Sequence, residues 1–134
     1  MGCYNGKYQL TIRKESNMND FKVMANILAA VRQCEHDRQM NISYFDLEVL
    51  KTDETTRDSI VAKLQKDGYV EGFFVIDDID NQQYPYVVWN RSAPRITIKG
   101  MTFIEENKPL KKAMEAIRHT LLGVATNKLS SFFF

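Results

Sequence analysis

The chain has 134 residues, a formal net charge of +1 and a hydrophobic content of 44%, including one Trp, six Tyr and eight Phe. The low net charge and abundant apolar surface exclude a disordered polyelectrolyte, and the length is typical of one domain. No apolar run approaches the roughly 18 residues that a membrane-spanning helix requires, so we expect no integral membrane association.

The cysteine content indicates a reducing compartment. Cys3 and Cys34 are too few and too far apart for a disulfide framework or a zinc site. Cys34 also falls on the apolar face of a predicted helix, as expected for a buried thiol. We therefore expect a cytoplasmic protein that holds no metal.

Charge is unevenly distributed along the chain. Residues 51–94 carry five basic and eight acidic side chains, a net −3, whereas residues 95–134 carry seven basic and three acidic ones, a net +4. The acidic middle and the basic C-terminal part therefore favour different partners.

The first predicted element is an amphipathic helix. Residues 1–17 are predicted to be a polar tail, disordered or forming an extra strand, and the folded part is expected to begin at Met18. Asn19 or Asp20 is the candidate N-cap, and the helix should end within residues 35–39. Its apolar face repeats at three- and four-residue steps and consists of Phe21, Met24, Ala25, Ile27, Leu28, Val31 and Cys34.

Two shorter helices are predicted next. Ser43 and Asp46 have capping-box spacing and begin a helix that runs through Leu50. Thr52 is a candidate cap for a third helix over residues 53–67, which Gly68 would end in the left-handed conformation.

A hairpin and two more helices complete the predicted elements. The β-branched and aromatic residues of 69–78 and 84–90 predict two strands joined by a polar turn. Thr97 is predicted to cap a helix that ends near Asn107, and Pro109 suits the first turn of the last helix.

This order of elements predicts an α+β winged helix. Three helices form the helix-turn-helix core, the antiparallel hairpin is the wing, and further helices follow at the C-terminus. The winged-helix domain would span residues 18–107. Residues 108–134 would be an amphipathic helix and tail, and a candidate dimerisation element.

Three segments resemble a known family. Residues 65–70 (Gln-Lys-Asp-Gly-Tyr-Val) resemble the end of the third helix in many winged-helix proteins. Residues 96–104 (Ile-Thr-Ile-Lys-Gly-Met-Thr-Phe-Ile) resemble the LTxxGxxYL strand-to-helix junction that follows a wing. With residues 42–47 (Ile-Ser-Tyr-Phe-Asp-Leu) ahead of them, residues 19–118 resemble the YjcQ family of small bacterial and prophage proteins. The resemblance implies a winged-helix fold and brings no established activity or functional residues.

The sequence offers little support for catalysis. His36 and His119 occupy polar helix positions with no nucleophilic Ser or Cys arranged beside them. The acidic run that begins at Asp77 lacks the sixth-position Gly and twelfth-position Glu of a calcium loop. There is no glycine-rich phosphate loop. We expect a protein that is not an enzyme and uses no cofactor.

The outer side of the third helix is a candidate DNA surface. A helical wheel places Ile60, Val61, Leu64 and Arg57 on the inward side, with the stem of Arg57 along the body. Short hydroxyls and lysines remain outside and suit entry into the major groove with phosphate contacts beside it. The predicted DNA-binding residues are Thr55, Thr56, Ser59, Lys63 and Lys66 on the helix, with Arg91 and Arg95 beside the wing.

Acidic residues oppose this interpretation. Four carboxylates offset the basic residues of the third helix, namely Asp53, Glu54, Asp58 and Asp67. The wing tip carries three more, Asp77, Asp78 and Asp80, where duplex DNA requires positive charge. The hydroxyls and lysines of the helix are also compatible with an ordinary solvated surface.

The last helix carries an apolar seam two heptads long, formed by Leu110, Met114, Ile117, Leu121 and Val124. This seam could pack on the chain's own body or pair with a second copy in a homodimer. Basic side chains flank it and three phenylalanines end the chain, so a helix lying on an anionic membrane surface is a third alternative.

The function predicted from these patterns is that of a winged-helix DNA-binding protein, with transcriptional regulation as its role and double-stranded DNA as its partner. The alternative is a winged-helix module whose acidic wing binds an unidentified protein partner and which does not bind DNA.

Overall fold

The computed structural model describes residues 6–77 and 84–133, with side chains described for 20–77 and 84–123. This part of the chain is α+β, as predicted, with five α-helices and two two-stranded antiparallel sheets. The helices are α1 (Gly6–Asp37), α2 (Leu47–Leu50), α3 (Glu54–Lys66), α4 (Ile98–Glu106) and α5 (Lys108–Phe133). The strands are β1 (Val70–Glu71), β2 (Val75–Ile76), β3 (Tyr86–Val87) and β4 (Arg95–Ile96), and 3-10 turns lie at Ile42–Phe45 and Trp89–Arg91.

Helix α1 is longer than predicted. It begins at Gly6, so residues 6–17 are helical rather than a tail or a strand, and Asn19 and Asp20 are interior positions rather than an N-cap. Residues 7–20 contain neither Pro nor Gly, so neither of the two strongest helix breakers interrupts the helix there. Residues 1–5 of the predicted tail lie outside the described residues.

Helix α1 is also the centre of the hydrophobic core. Its predicted apolar face is buried, with Phe21 and Met24 half-buried at its margin. Helix α5 packs against α1 along one side, and α3 and β4 contact it elsewhere. Cys34 is buried, as predicted, and burial raises the pKa of its thiol.

Capping residues differ from the predictions at two helices and agree at a third. Asn41, rather than Ser43, caps the 3-10 turn that precedes α2, since its side chain accepts from the Ser43 N–H. Asp53, rather than Thr52, caps α3 and accepts from the Thr56 N–H at 2.7 Å. Thr97 caps α4 as predicted, accepting from the Gly100 N–H at 2.9 Å.

The predicted long strand is broken at Gly72. Strand β1 pairs with β4, whereas β2 pairs with β3, with Val75 opposite Val87. Gly72 has φ +96°, and a Cβ there would lie 2.2 Å from the Ala93 carbonyl oxygen. The close approach of the returning chain therefore divides the hairpin into a base, β1–β4, and an outer pair, β2–β3, which we call the wing hairpin.

A polar contact joins the end of α1 to the segment before α2. The buried Tyr44 donates to Asp37 Oδ2 at 2.9 Å, and Gln33 donates to Asp37 Oδ1 at 3.1 Å. Burial raises the pKa of Asp37, but the hydrogen bonds from Tyr44, Gln33 and His36 together lower it below its ordinary value of 3.8. Burial and the neighbouring carboxylate raise the pKa of Tyr44 to about 12.

We expect Tyr44→Phe to reduce the free energy of unfolding by about 1 kcal/mol near neutral pH, because the ring stays in place and only the hydrogen bond is lost. A carboxyl whose folded pKa is lowered contributes stability above its unfolded pKa and loses it as the pH falls through the folded pKa. The difference between the variant and the wild type should therefore shrink below pH 3.8. Urea denaturation at neutral and acid pH measures it. A difference that stays constant across that range would contradict the role given to Asp37.

In the described residues, every helix lacks the apolar length needed to cross a membrane.

Candidate nucleic-acid interface

Helix α3 presents the predicted inward and outward faces. Val61 and Leu64 are buried, and Ile60 packs partly against the core. On the outward face Thr55, Lys63 and Lys66 are exposed, while Thr56 and Ser59 are half-buried. The helical wheel thus identified the orientation of α3 correctly.

An ion pair lies beneath this helix. Arg57 and Asp58 are 9% and 3% exposed, and Arg57 Nε donates to Asp58 Oδ1 at 2.9 Å. Arg57 Nη1 donates to the Phe45 carbonyl at 3.1 Å, and its guanidinium lies 4.7 Å from the centre of the Trp89 ring. The other oxygen of Asp58 accepts from the Val87 N–H at 3.0 Å. The pair therefore joins α3 to the segment before α2 and to the wing hairpin.

The burial of Asp58 corrects the charge count made for the third helix. Asp58 was expected to oppose DNA from the surface, but its charge is turned inward and paired with Arg57. Of the remaining carboxylates, Asp53 caps the helix, and Glu54 is exposed with its Oε2 3.9 Å from Arg57 Nη2. The outward face of α3 is therefore less acidic than the sequence indicated.

The lysines at the C-terminal end of α3 are its main positive feature. Among the described residues, neither Lys63 nor Lys66 forms an ion pair with a carboxylate. Lys99, from the first turn of α4, joins this end of the helix, donating to the Asp67 carbonyl at 2.7 Å and lying 5.0 Å from the Tyr69 ring centre. The role of Lys99 could not be predicted from the sequence, because a contact across 32 positions leaves no local pattern.

The two predicted wing-base arginines are in different situations. Arg91 is exposed and lies 5.5 Å from the centre of the Phe74 ring. Arg95 pairs with Glu71 across the β1–β4 sheet, its Nε 2.5 Å from Glu71 Oε2. Arg95 also borders a cleft with Cys34 and Arg38, whereas Lys63 borders another with Phe21 and Tyr69. The predicted residues thus divide into an α3 group and a separate pair of arginines.

The wing hairpin has an aromatic outer face that was not among the predicted site residues. Val75 and Val87 lie on its inner side, and Val87 is buried. Ile76 and Tyr86 face each other on the outer side. Phe74, Tyr84 and Tyr86 are 40%, 55% and 41% exposed. The alternation of Tyr84 and Tyr86 was the available sequence signal. Of the predicted acidic tip, Asp77 is exposed, and Asp78 and Asp80 lie outside the described residues.

The predicted dimer seam is largely internal to the chain. Leu110, Met114 and Leu121 are 0%, 5% and 1% exposed and belong to the core that α5 forms with α1. Ile117 is half-buried against the same core, and the side chain of Val124 lies outside the described residues. Of the alternatives for the seam, packing on the chain's own body accounts for the burial of these three residues, and pairing with a second copy stays a prediction.

No cluster of three or more His, Cys, Asp or Glu side chains suited to a metal ion occurs in the described part of the chain.

Residues 21–120 match the YjcQ protein family, described as YjcQ protein. The match covers most of the chain, which therefore belongs to this family. Comparison with curated proteins and with solved structures finds no significant match.

Proposed function

We propose that this member of the YjcQ family is a non-enzymatic winged-helix protein of bacterial or prophage origin that binds double-stranded DNA. In this proposal α3 is the recognition helix, the wing hairpin supports it, and the protein acts in the cytoplasm as a transcriptional regulator. The order α1, α2, α3, hairpin supports the fold assignment, because a winged helix places its hairpin directly after the third helix.

The contact between α3 and the wing hairpin supports the same arrangement. Asp58 accepts from the Val87 N–H, so the hairpin is held against the helix that would enter the major groove. Side chains on the outer face of such a helix contact base edges and phosphates together. The two elements would therefore approach DNA as one unit.

The observation that carries the proposal is the outward face of α3. Lys63 and Lys66 are exposed and have no carboxylate partner among the described residues, and Thr55 and Ser59 precede them on the same side. Burial of Asp58 removes one negative charge from the helix surface. A helix face with hydroxyls in its first half and lysines in its second half offers both base-edge and phosphate contacts.

The binding should be weak and sensitive to salt. Arg95 is already paired with Glu71, which leaves Lys63, Lys66 and Arg91 as the phosphate contacts. Three contacts imply a slope of about −3 for log affinity against log salt. We expect Lys63→Gln with Lys66→Gln to bring the slope near −1 and to weaken binding at least about tenfold at ~50 mM salt. Fluorescence anisotropy with mixed-sequence duplex DNA measures both quantities.

A matched control is available on α5. Lys108 and Lys112 are also exposed, so Lys108→Gln with Lys112→Gln removes the same charge away from α3. This control should keep the wild-type slope. Equal losses in the two double variants would mean that only overall charge matters, which would contradict a site on α3. If neither the wild type nor an Asp77→Asn variant binds duplex DNA at ~50 mM salt, the DNA-binding proposal fails.

The aromatic outer face of the wing hairpin favours a second candidate function, a protein-interaction module. Phe74, Tyr84 and Tyr86 are partly exposed beside the exposed carboxylate of Asp77. Aromatic residues are enriched at protein interfaces, and acidic residues beside them favour a basic partner. Binding of an oligolysine peptide that is lost in Tyr86→Ser, in a protein that does not bind DNA, would support this function instead.

A further inference from the structure

A cleft of about 270 Å³ lies between α1 and α5, and its lining includes no residue of α3. Each helix lines it with four residues at positions i, i+3, i+4 and i+7, so one complete face of each helix is used. From α1 these are Ala29, Arg32, Gln33 and His36, and from α5 they are Lys111, Met114, Glu115 and Arg118.

The charge of this cleft is predominantly positive. Arg32, Lys111 and Arg118 face one carboxylate, Glu115, and the His36 imidazole lies at the same rim. Lys111 Nζ is 3.0 Å from Glu105 Oε1, so its charge is partly engaged. The structure shows no ion pair for Arg32 or Arg118 in its described residues, and both residues are exposed. Two guanidinium groups are therefore available to an anion.

The lining also includes buried apolar surface. Ala29 and Met114 are 7% and 5% exposed, and both contribute to the cleft. Gln33 is held in place because its Nε2 donates to Asp37 Oδ1. Ligand sites characteristically combine an apolar lining with a few fixed polar groups. Guanidinium groups bind carboxylates and phosphates through paired hydrogen bonds.

From this combination we propose that the α1–α5 cleft binds a small amphipathic anion, in which an apolar group contacts Met114 and Ala29 and a carboxylate or phosphate contacts Arg32 and Arg118. The volume suits a molecule with about one ring, at the small end of known ligand sites. The concave shape and apolar lining favour such a molecule over the backbone of duplex DNA. The site is separate from the proposed DNA surface, so it does not depend on DNA binding.

Phenyl phosphate is a suitable probe because it combines one ring with a dianion. Isothermal titration with the full chain should give a dissociation constant of about 1 mM or lower, as two charge-assisted contacts and one buried ring allow. Phenol and inorganic phosphate should each bind at least about tenfold more weakly, because each lacks one of the two features. Equal binding of inorganic phosphate, or no binding of phenyl phosphate, would overturn the proposal.

Variants locate the site. Arg32→Gln with Arg118→Gln should weaken phenyl phosphate binding at least about tenfold without lowering the melting temperature, since both side chains are exposed. Arg38→Gln with Lys112→Gln removes the same charge outside the cleft and should bind like the wild type. Unchanged binding in the first variant would overturn the assignment. Loss of duplex DNA binding in that variant, with no phenyl phosphate binding by the wild type, would instead assign the arginines to DNA.

Discussion

Replacing Arg57 by Met should reduce the free energy of unfolding by about 3–5 kcal/mol, because it leaves the buried carboxylate of Asp58 without its partner. Asp58 is only 3% exposed, and a buried charge without a counterion is far more costly than a missing surface contact. The variant also loses the hydrogen bond to the Phe45 carbonyl and the contact with Trp89. Urea denaturation followed by Trp89 fluorescence measures the effect.

The wing hairpin offers a second measurement of the same change. Since Asp58 Oδ2 accepts from the Val87 N–H, hydrogen exchange at the Val87 amide should accelerate in Arg57→Met more than it does at Gly100, in α4. Lys63→Met on the exposed side of α3 is the matched control and should change stability by no more than about 0.5 kcal/mol. A loss below about 1 kcal/mol in Arg57→Met would mean that the pair is solvated and does not join α3 to the hairpin.

Local features of the chain were predictable where one segment contains all of the interactions. The cap of α4 is an example, since Thr97 and the Gly100 N–H that it binds are three positions apart. The ending of α3 at Lys66, shortly before Gly68 with φ +87°, follows equally from glycine's access to the left-handed conformation. The inward face of α3 followed from the spacing of Val61 and Leu64.

Features that depend on distant segments were not predictable in this way. The break at Gly72 results from the approach of Ala93, and no pattern within residues 69–78 contains that contact. Counting charged residues placed Asp58 on the surface, because the count does not show which carboxylates are buried. The neighbouring Arg57 was nevertheless predicted to lie on the inward side. The contact of Lys99 with the end of α3 was not predictable either, because it depends on the chain reversal that the hairpin creates.

The apolar seam on α5 is another feature whose contacts the sequence could not identify. Its heptad spacing correctly predicted that this face is covered, but spacing does not specify which chain covers it. Met114 and Leu121 are covered by the chain's own core, to which α1 contributes the largest share. The apolar face of α5 was therefore predictable from the sequence, but the element that covers it could be identified only from the fold.

Leu121→Lys tests this assignment, because the two alternatives predict opposite results. Leu121 is 1% exposed within a single chain, so introducing an ammonium there should cost about 3–5 kcal/mol through lost packing and desolvation. Leu121→Ala is the milder form and should cost about 2–5 kcal/mol if the first variant does not fold. Thr120→Lys, at an exposed neighbouring position, should stay within about 0.5 kcal/mol of the wild type. Urea denaturation and light scattering on the same samples give stability and mass. A Leu121→Lys protein that melts like the wild type, but has half its mass, would mean that the seam pairs two chains and that its packing against α1 is wrong.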